Sequence, residues 1–209
     1  MPAFVSSPDH PSPDRLSLAT SAKIVIAGGF GVGKTTSVSA ISEIPPIRTE
    51  SWMTAATEQV DRLDPGIDKT TTTVALDFGR ITIDEALVLY LFGTPGQPRF
   101  WPMWDDLSRG AIGALVLVDS TRLDLSFPAV NYFEQDTDLP WVVCVNLFHG
   151  RLAHQPAEVR EALALPDAVP LITADVREPR QVAKALLAVV EHARSRAAVT
   201  VRAGAPVRP

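Results

Sequence analysis

One cysteine, Cys144, is all the chain has in 209 residues, which excludes an intrachain disulfide framework and any zinc cluster built on cysteines. So few thiols agree with a reducing cytoplasm, the compartment expected here. Long apolar runs are missing too: none approaches the roughly 18 residues needed to cross a bilayer. The opening stretch MPAFVSSPDHPSPDRLS lacks the basic start and apolar middle of a secretory signal. Pro2 stands where myristoylation needs glycine, and no C-terminal cysteine offers itself for prenylation. No integral membrane segment is therefore expected, and any recruitment to a membrane complex would be peripheral. Positive charge is scarce, with 19 Lys and Arg against 24 Asp and Glu and a net charge of -5. Nothing electrostatic favours nucleic acid as a partner. The histidines other than His149, namely His10, His154 and His192, are scattered, and with Cys144 they make no metal-ligand spacing.

What the chain does have is the composition of one globular core, 46% hydrophobic and 21% charged. Residues 1–20 are rich in Pro, Ser and Asp and read as a flexible tail; residues 199–209 read as a second, leaving a domain at 21–198. Inside it, strand-length apolar runs alternate with helical patterns, the signature of an α/β parallel sheet. KIVIAG (23–28) reads as a buried strand running into a glycine loop and the helix KTTSVSAISEI. TVALDFGRITI and ALVLYLFG, flanking Asp84 and Glu85, read as an antiparallel pair. AIGALVLVDS (111–120), WVVCVN (141–146) and VPLITA (169–174) supply three more strands. Helices fit at about 126–137, 156–164 and 179–197, the last with Val182, Leu186, Val189 and Ala193 as an inward stripe. The expectation is a six-stranded, mostly parallel sheet flanked by about five helices.

GGFGVGKT (28–35) fits the Walker A phosphate-loop pattern, and a strand before it with a helix after it is the required context. Glycines let successive N–H groups and the helix N-terminus curl around phosphate oxygens. Gly28, Gly31, Val32, Gly33 and Thr36 would form the cradle. Lys34 would reach the β- and γ-phosphates, and the Thr35 hydroxyl would ligate Mg²⁺.

The order of elements resembles the Ras-like small GTPase superfamily, and further residues match its motifs one by one. TVALDF (73–78) is similar to the first switch, which implies that Thr73 places its hydroxyl on Mg²⁺; the run TTTT leaves Thr72 as the alternative. GTPGQPRF (93–100) is similar to the second switch, usually D-x-x-G-Q. The resemblance gives Gly96 a contact to the γ-phosphate and Gln97 the positioning of the attacking water. Gly93 departs from the pattern, standing where the Mg²⁺-linked aspartate usually sits, although the gliding-motility branch of bacterial small GTPases also lacks that aspartate. Pro98 holds Gln97 to extended conformations, which argues for slow intrinsic hydrolysis. Together, AGGFGVGKTT, SEIPPIRTE, TTTVALDFG and FGTPGQ resemble the conservon GTPases of actinomycetes over residues 20 to 198. That resemblance implies a regulatory switch taking GTP or GDP with Mg²⁺, beside sensor-kinase-like and roadblock-fold partners.

The base-reading motif of the superfamily, N-K-x-D, is only half present. VCVNLFHG puts Asn146 in place, with Leu147 for the lysine and His149 for the aspartate. A neutral imidazole offers one acceptor where a carboxylate accepts two bonds from guanine. The unpaired donor would cost about 1–3 kcal/mol, roughly a fivefold to several-hundredfold weakening. His149 is open to three readings: relaxed base preference, a pH-sensitive contact, or a surface histidine at a site no longer under strict demand. TAD (173–175) aligns with the last base-contacting loop, where the Ala174 N–H would meet guanine and Asp175 is the nearby carboxylate. RFWPMW (99–104) sets Phe100, Trp101, Met103 and Trp104 beside the second switch, as partner anchors or as core. Arg48, in IPPIRTESWMT, is a candidate internal arginine finger or a solvent-facing arginine. Three functions stay open: a switch that turns over GTP, a degenerate nucleotide-binding scaffold, and a P-loop ATP-binding protein.

Overall fold

The computed structural model describes residues 20–45, 47–51, 74–148 and 150–204. In chain order these form β1 (Thr20–Gly28), α1 (Lys34–Ile41), β2 (Ile47–Ser51), β3 (Val74–Thr82), β4 (Leu87–Gly93), α2 (Met103–Ser108), β5 (Gly113–Val118), α3 (Phe127–Asn131), β6 (Trp141–Asn146), α4 (Pro156–Ala162), β7 (Leu171–Ala174) and α5 (Pro179–Gly204). Short 3₁₀ turns precede α2 and α3, and a π-type turn extends α3 over Tyr132–Asp136.

One sheet runs in the order β2-β3-β4-β1-β5-β6-β7. The strands from β4 onward are parallel, and β2 and β3 are antiparallel to their neighbours. The six expected strands are all there, with a short seventh, β2, at the edge. The parallel strands are buried on both faces, so they read as unbroken apolar runs. Alternate residues feed separate cores. Ile24, Ile26, Leu115, Leu117, Val142 and Cys144 pack with Val38 of α1 and with Val182, Leu186 and Val189 of α5. Val25, Ala27, Val116, Val118, Val143 and Val145 pack on the other face with Trp104, Phe133, Val159 and Leu163. The stripe read on the last helix is this inward face, with Ala193 at its half-buried end. The helix itself runs on to Gly204, past residue 198, because no breaker occurs before that glycine.

The parallel order brings the C-terminal ends of β1, β4, β5, β6 and β7 to one edge, where the loops after them converge. Ligands bind α/β sheets at such an edge.

Candidate nucleotide site

The loop after β1 carries the cradle. Gly33 caps α1 with φ 105°, a left-handed conformation, and a Cβ there would lie 2.9 Å from both Asn146 Nδ2 and Val176 Cγ2. Both facts demand glycine. The first turn of α1 holds no acidic residue of its own, and the carboxylate that reaches it, Asp77, comes from another element. Lys34 is 8% exposed, with Nζ donating to the carbonyls of Gly28 at 2.8 Å and Gly29 at 2.6 Å. Burial pushes its ammonium down to about 8, against a smaller upward pull from Asp77. A pocket of about 460 Å³ opens here, lined by Gly31, Gly33, Lys34, Thr35, Thr36, Asp77, Gly96 and Gln97 among others.

Asp77 is the residue that sequence reasoning missed. It comes from the middle of β3 and pairs in register with Gly93 of β4. Its Oδ2 accepts a hydrogen bond from the Thr35 hydroxyl at 2.6 Å. A Cβ on Gly93 would sit 2.8 Å from Asp77 Cβ and 3.1 Å from Oδ2. Asp77 therefore crosses the space that a side chain at position 93 would use, and the carboxylate missing from β4 is delivered from the strand beside it. The only signal in the sequence was an acidic residue inside an apolar strand, VALDF.

Thr35 and Asp77 are hard oxygen donors side by side at the phosphate end, which suits Mg²⁺. Among the described residues no group of three or more His, Cys, Asp or Glu could hold a metal. A cation here would complete its shell with phosphate oxygens and water, as Mg²⁺ ordinarily does. Thr72 and Thr73 lie outside the described residues.

Gly96 meets the cradle directly: a Cβ on it would be 2.8 Å from Lys34 Nζ and 2.9 Å from the Phe30 nitrogen. Gln97 is extended, φ -86° and ψ 140°, as the following proline requires, and its Oε1 accepts from Arg99 Nε at 3.1 Å. The aromatic run divides. Phe100 and Trp104 are core, Trp104 donating from Nε1 to the Pro95 carbonyl at 3.2 Å, whereas Trp101 is 38% exposed. Arg48 pairs through its backbone with Asp77, and its side chain is outside the described set.

A second pocket, about 130 Å³, adjoins the first and is lined by Gly31, Gly33, Thr36, Asn146, Leu147, Phe148, Asp175, Val176 and Arg177. Asn146 holds its walls together, donating from Nδ2 to Val32 O at 3.0 Å and accepting from Val176 N–H at 3.3 Å. Ala174 is buried as the last residue of β7, and Asp175, Val176 and Arg177 of the loop after it line the pocket. The Asp175 carboxylate is bound by Arg177 at 2.6 and 2.9 Å, which orients it toward its own loop. His149 lies outside the described residues.

The sheet order and the strand–loop–helix after β1 define an α/β domain with the P-loop GTPase fold. The chain belongs to the family described as conserved hypothetical ATP binding protein, whose model matches residues 26–196. Among solved structures it is similar to the G domain of the T. maritima FeoB iron transporter, at 17% identity and TM-score 0.57, covering 83% of this chain and 99% of that one. It is also similar to the Arl6 small GTPase from Trypanosoma brucei with a bound nucleotide analogue GppNp, at 17% identity and TM-score 0.60, covering 84% and 99%. The FeoB G-domain from Methanococcus jannaschii matches at 12% identity and TM-score 0.54, covering 83% and 98%. No helix among the described residues is long and apolar enough to cross a membrane.

The lowered Lys34 sets a pH dependence. A phosphate bound beside the ammonium would stabilise its charged form and so raise a group that starts at about 8. Below that value Lys34 is charged before and after binding. Above it, a proton must be taken up. Affinity for GDP is therefore expected to fall as pH rises past about 8, and titrations at about pH 8.5 in buffers of differing ionisation enthalpy should show net proton uptake. Proton release would contradict this.

Proposed function

We propose that the chain is a bacterial guanine-nucleotide switch that binds GTP and GDP with Mg²⁺ and hydrolyses GTP slowly or with partner help. The observation that carries it is the Asn146 tether, which joins the loop after β1 to a second pocket that shares Gly31, Gly33 and Thr36 with the first, a layout suited to phosphates in one and a base in the other. In this reading Lys34 and the cradle amides of Gly28, Gly31, Val32, Gly33 and Thr36 hold the phosphates, and Thr35 and Asp77 hold the cation, with Thr73 as a further ligand. Mg²⁺ would supply charge neutralisation on the β- and γ-phosphates. Gly96 senses the γ-phosphate, and Gln97, once released from Arg99, positions water. Asn146, Leu147, His149 and Ala174, with the loop after it, surround the base. The motif set 20–198 supports a conservon-type signalling complex with roadblock-fold and sensor-kinase-like partners, in the cytoplasm or recruited peripherally to a membrane. The nucleotide domain spans 21–198, with its last helix running on to Gly204.

Two observations favour a second reading, relaxed base choice that includes ATP: Asp175 is engaged by Arg177, and the residue at the guanine-reading position is a histidine. Calorimetric titration of GDP, GTP and ATP with Mg²⁺ decides between them, with multiple-turnover phosphate release measured alongside. Guanine nucleotides bound at least about tenfold tighter than ATP, with slow release, is the expected result. Equal affinities move the conclusion to the second reading. Binding with no turnover even beside the partner leaves a scaffold, and no binding of any nucleotide overturns both.

A further inference from the structure

We propose that Arg122 is a nucleotide-binding residue, presenting its guanidinium to the sugar and α-phosphate at Gly31 and supplying the cation missing at Leu147. The inference rests on the nucleotide-switch reading. Gly31 lines both the phosphate pocket and the base pocket, so a nucleotide filling both must pass over it. Among the described residues, a Cβ on Gly31 would have a single neighbour within 4 Å, Arg122 Nη2 at 3.5 Å. The superfamily's lysine would come from the position of Leu147, whose side chain brings no charge to the same groove.

The guanidinium is aimed. Its Nε donates to Asp119 Oδ2 at 3.0 Å, and among the described residues Nη1 and Nη2 make no protein hydrogen bond. Asp119 is itself clamped: its Oδ1 accepts from the Thr121 N–H at 2.9 Å and the Thr121 hydroxyl at 2.6 Å. Burial works to raise the Asp119 carboxyl, but the Thr121 and Arg122 hydrogen bonds outweigh it and hold the group below its usual range. The anchor thus stays charged. β5 ends at Val118 beside β1, which sets this turn at the loop edge next to the cradle. With 47% of its side chain exposed, the guanidinium has room for an incoming anion, and its planar fork suits phosphate and sugar oxygens.

The test is titration of GDP with Mg²⁺ into wild type, Arg122→Ala, Arg122→Gln and the double variant Arg122→Ala/Leu147→Lys. Both single variants are expected to bind about tenfold more weakly, and the added lysine to regain most of the loss. Melting of the nucleotide-free proteins controls for folding, and recovery through position 147 is an effect that lost packing at 122 would not produce. Single variants within about twofold of wild type, or no gain from the lysine, overturn the inference while the switch reading stands. If wild type itself binds no nucleotide, that reading fails first.

Discussion

Replacing Asp77 with alanine is expected to weaken Mg²⁺-dependent GDP binding by about 10- to 100-fold, while Asp77→Gly combined with Gly93→Asp recovers most of it. Asp77 and Gly93 are register partners on adjacent strands, and Asp77 accepts the Thr35 hydroxyl at 2.6 Å. The alanine variant leaves that hydroxyl without its orienting acceptor and removes a negative charge from the cation's neighbourhood. GDP titrated with Mg²⁺ and with EDTA should give distinct affinities for wild type and nearly coincident ones for Asp77→Ala. Gly93→Asp alone places a new Cβ 2.8 Å from Asp77 Cβ and sets two carboxylates together, so it should destabilise the fold by about 1–3 kcal/mol. Glycine at 77 clears that space, which makes the exchange a sharp trial. Undiminished Mg²⁺ dependence in Asp77→Ala would show that the cation's partner lies elsewhere.

Asn146→Ala should be the most damaging change to stability in the site, at about 2–4 kcal/mol. Asn146 is 4% exposed and makes bonds to Val32 O and Val176 N–H, joining the cradle to the loop after β7. Alanine leaves a buried acceptor and a buried donor unpaired, each of which carries a desolvation cost. Asn146→Asp keeps the acceptor for Val176 but faces the Val32 carbonyl with an anion, so it should also be costly. Urea unfolding of the nucleotide-free protein gives the number, and a loss under about 1 kcal/mol would mean the tether is not what holds the pocket together. Nucleotide binding should fail in the same variant, because the walls of both pockets shift together.

Much of this was readable because the signals were local. The Walker A loop is eight consecutive residues, and its strand-loop-helix setting follows from the runs on either side. The antiparallel pair of β3 and β4 was legible from two apolar runs around Asp84 and Glu85. β2 was not, since IRTES is polar and follows two prolines, and an edge strand carries little apolar signal. Asp77 escaped notice for a different reason. Its importance depends on which residue lies across the ladder, and register is a property of two strands that no single stretch reveals. Arg122 was hidden likewise, ninety-one residues beyond Gly31 in sequence but beside it in space. The strand VPLITA ends at Ala174 in sequence and structure alike, but that Asp175, Val176 and Arg177 line the pocket beyond it depends on how the loop folds back, which the run itself does not carry.

Trp104 gives the second-switch loop an optical gauge of its own. Its indole is 2% exposed and bonded to the carbonyl of Pro95, immediately before Gly96. Indole emission follows hydrogen bonding and local polarity, so a ligand that draws Gly96 away from Lys34 must pass that displacement to a fluorophore already in contact with it. In the proposed switch, a change in native emission on nucleotide binding would report this loop, read against the chain's three other tryptophans and with no dye attached.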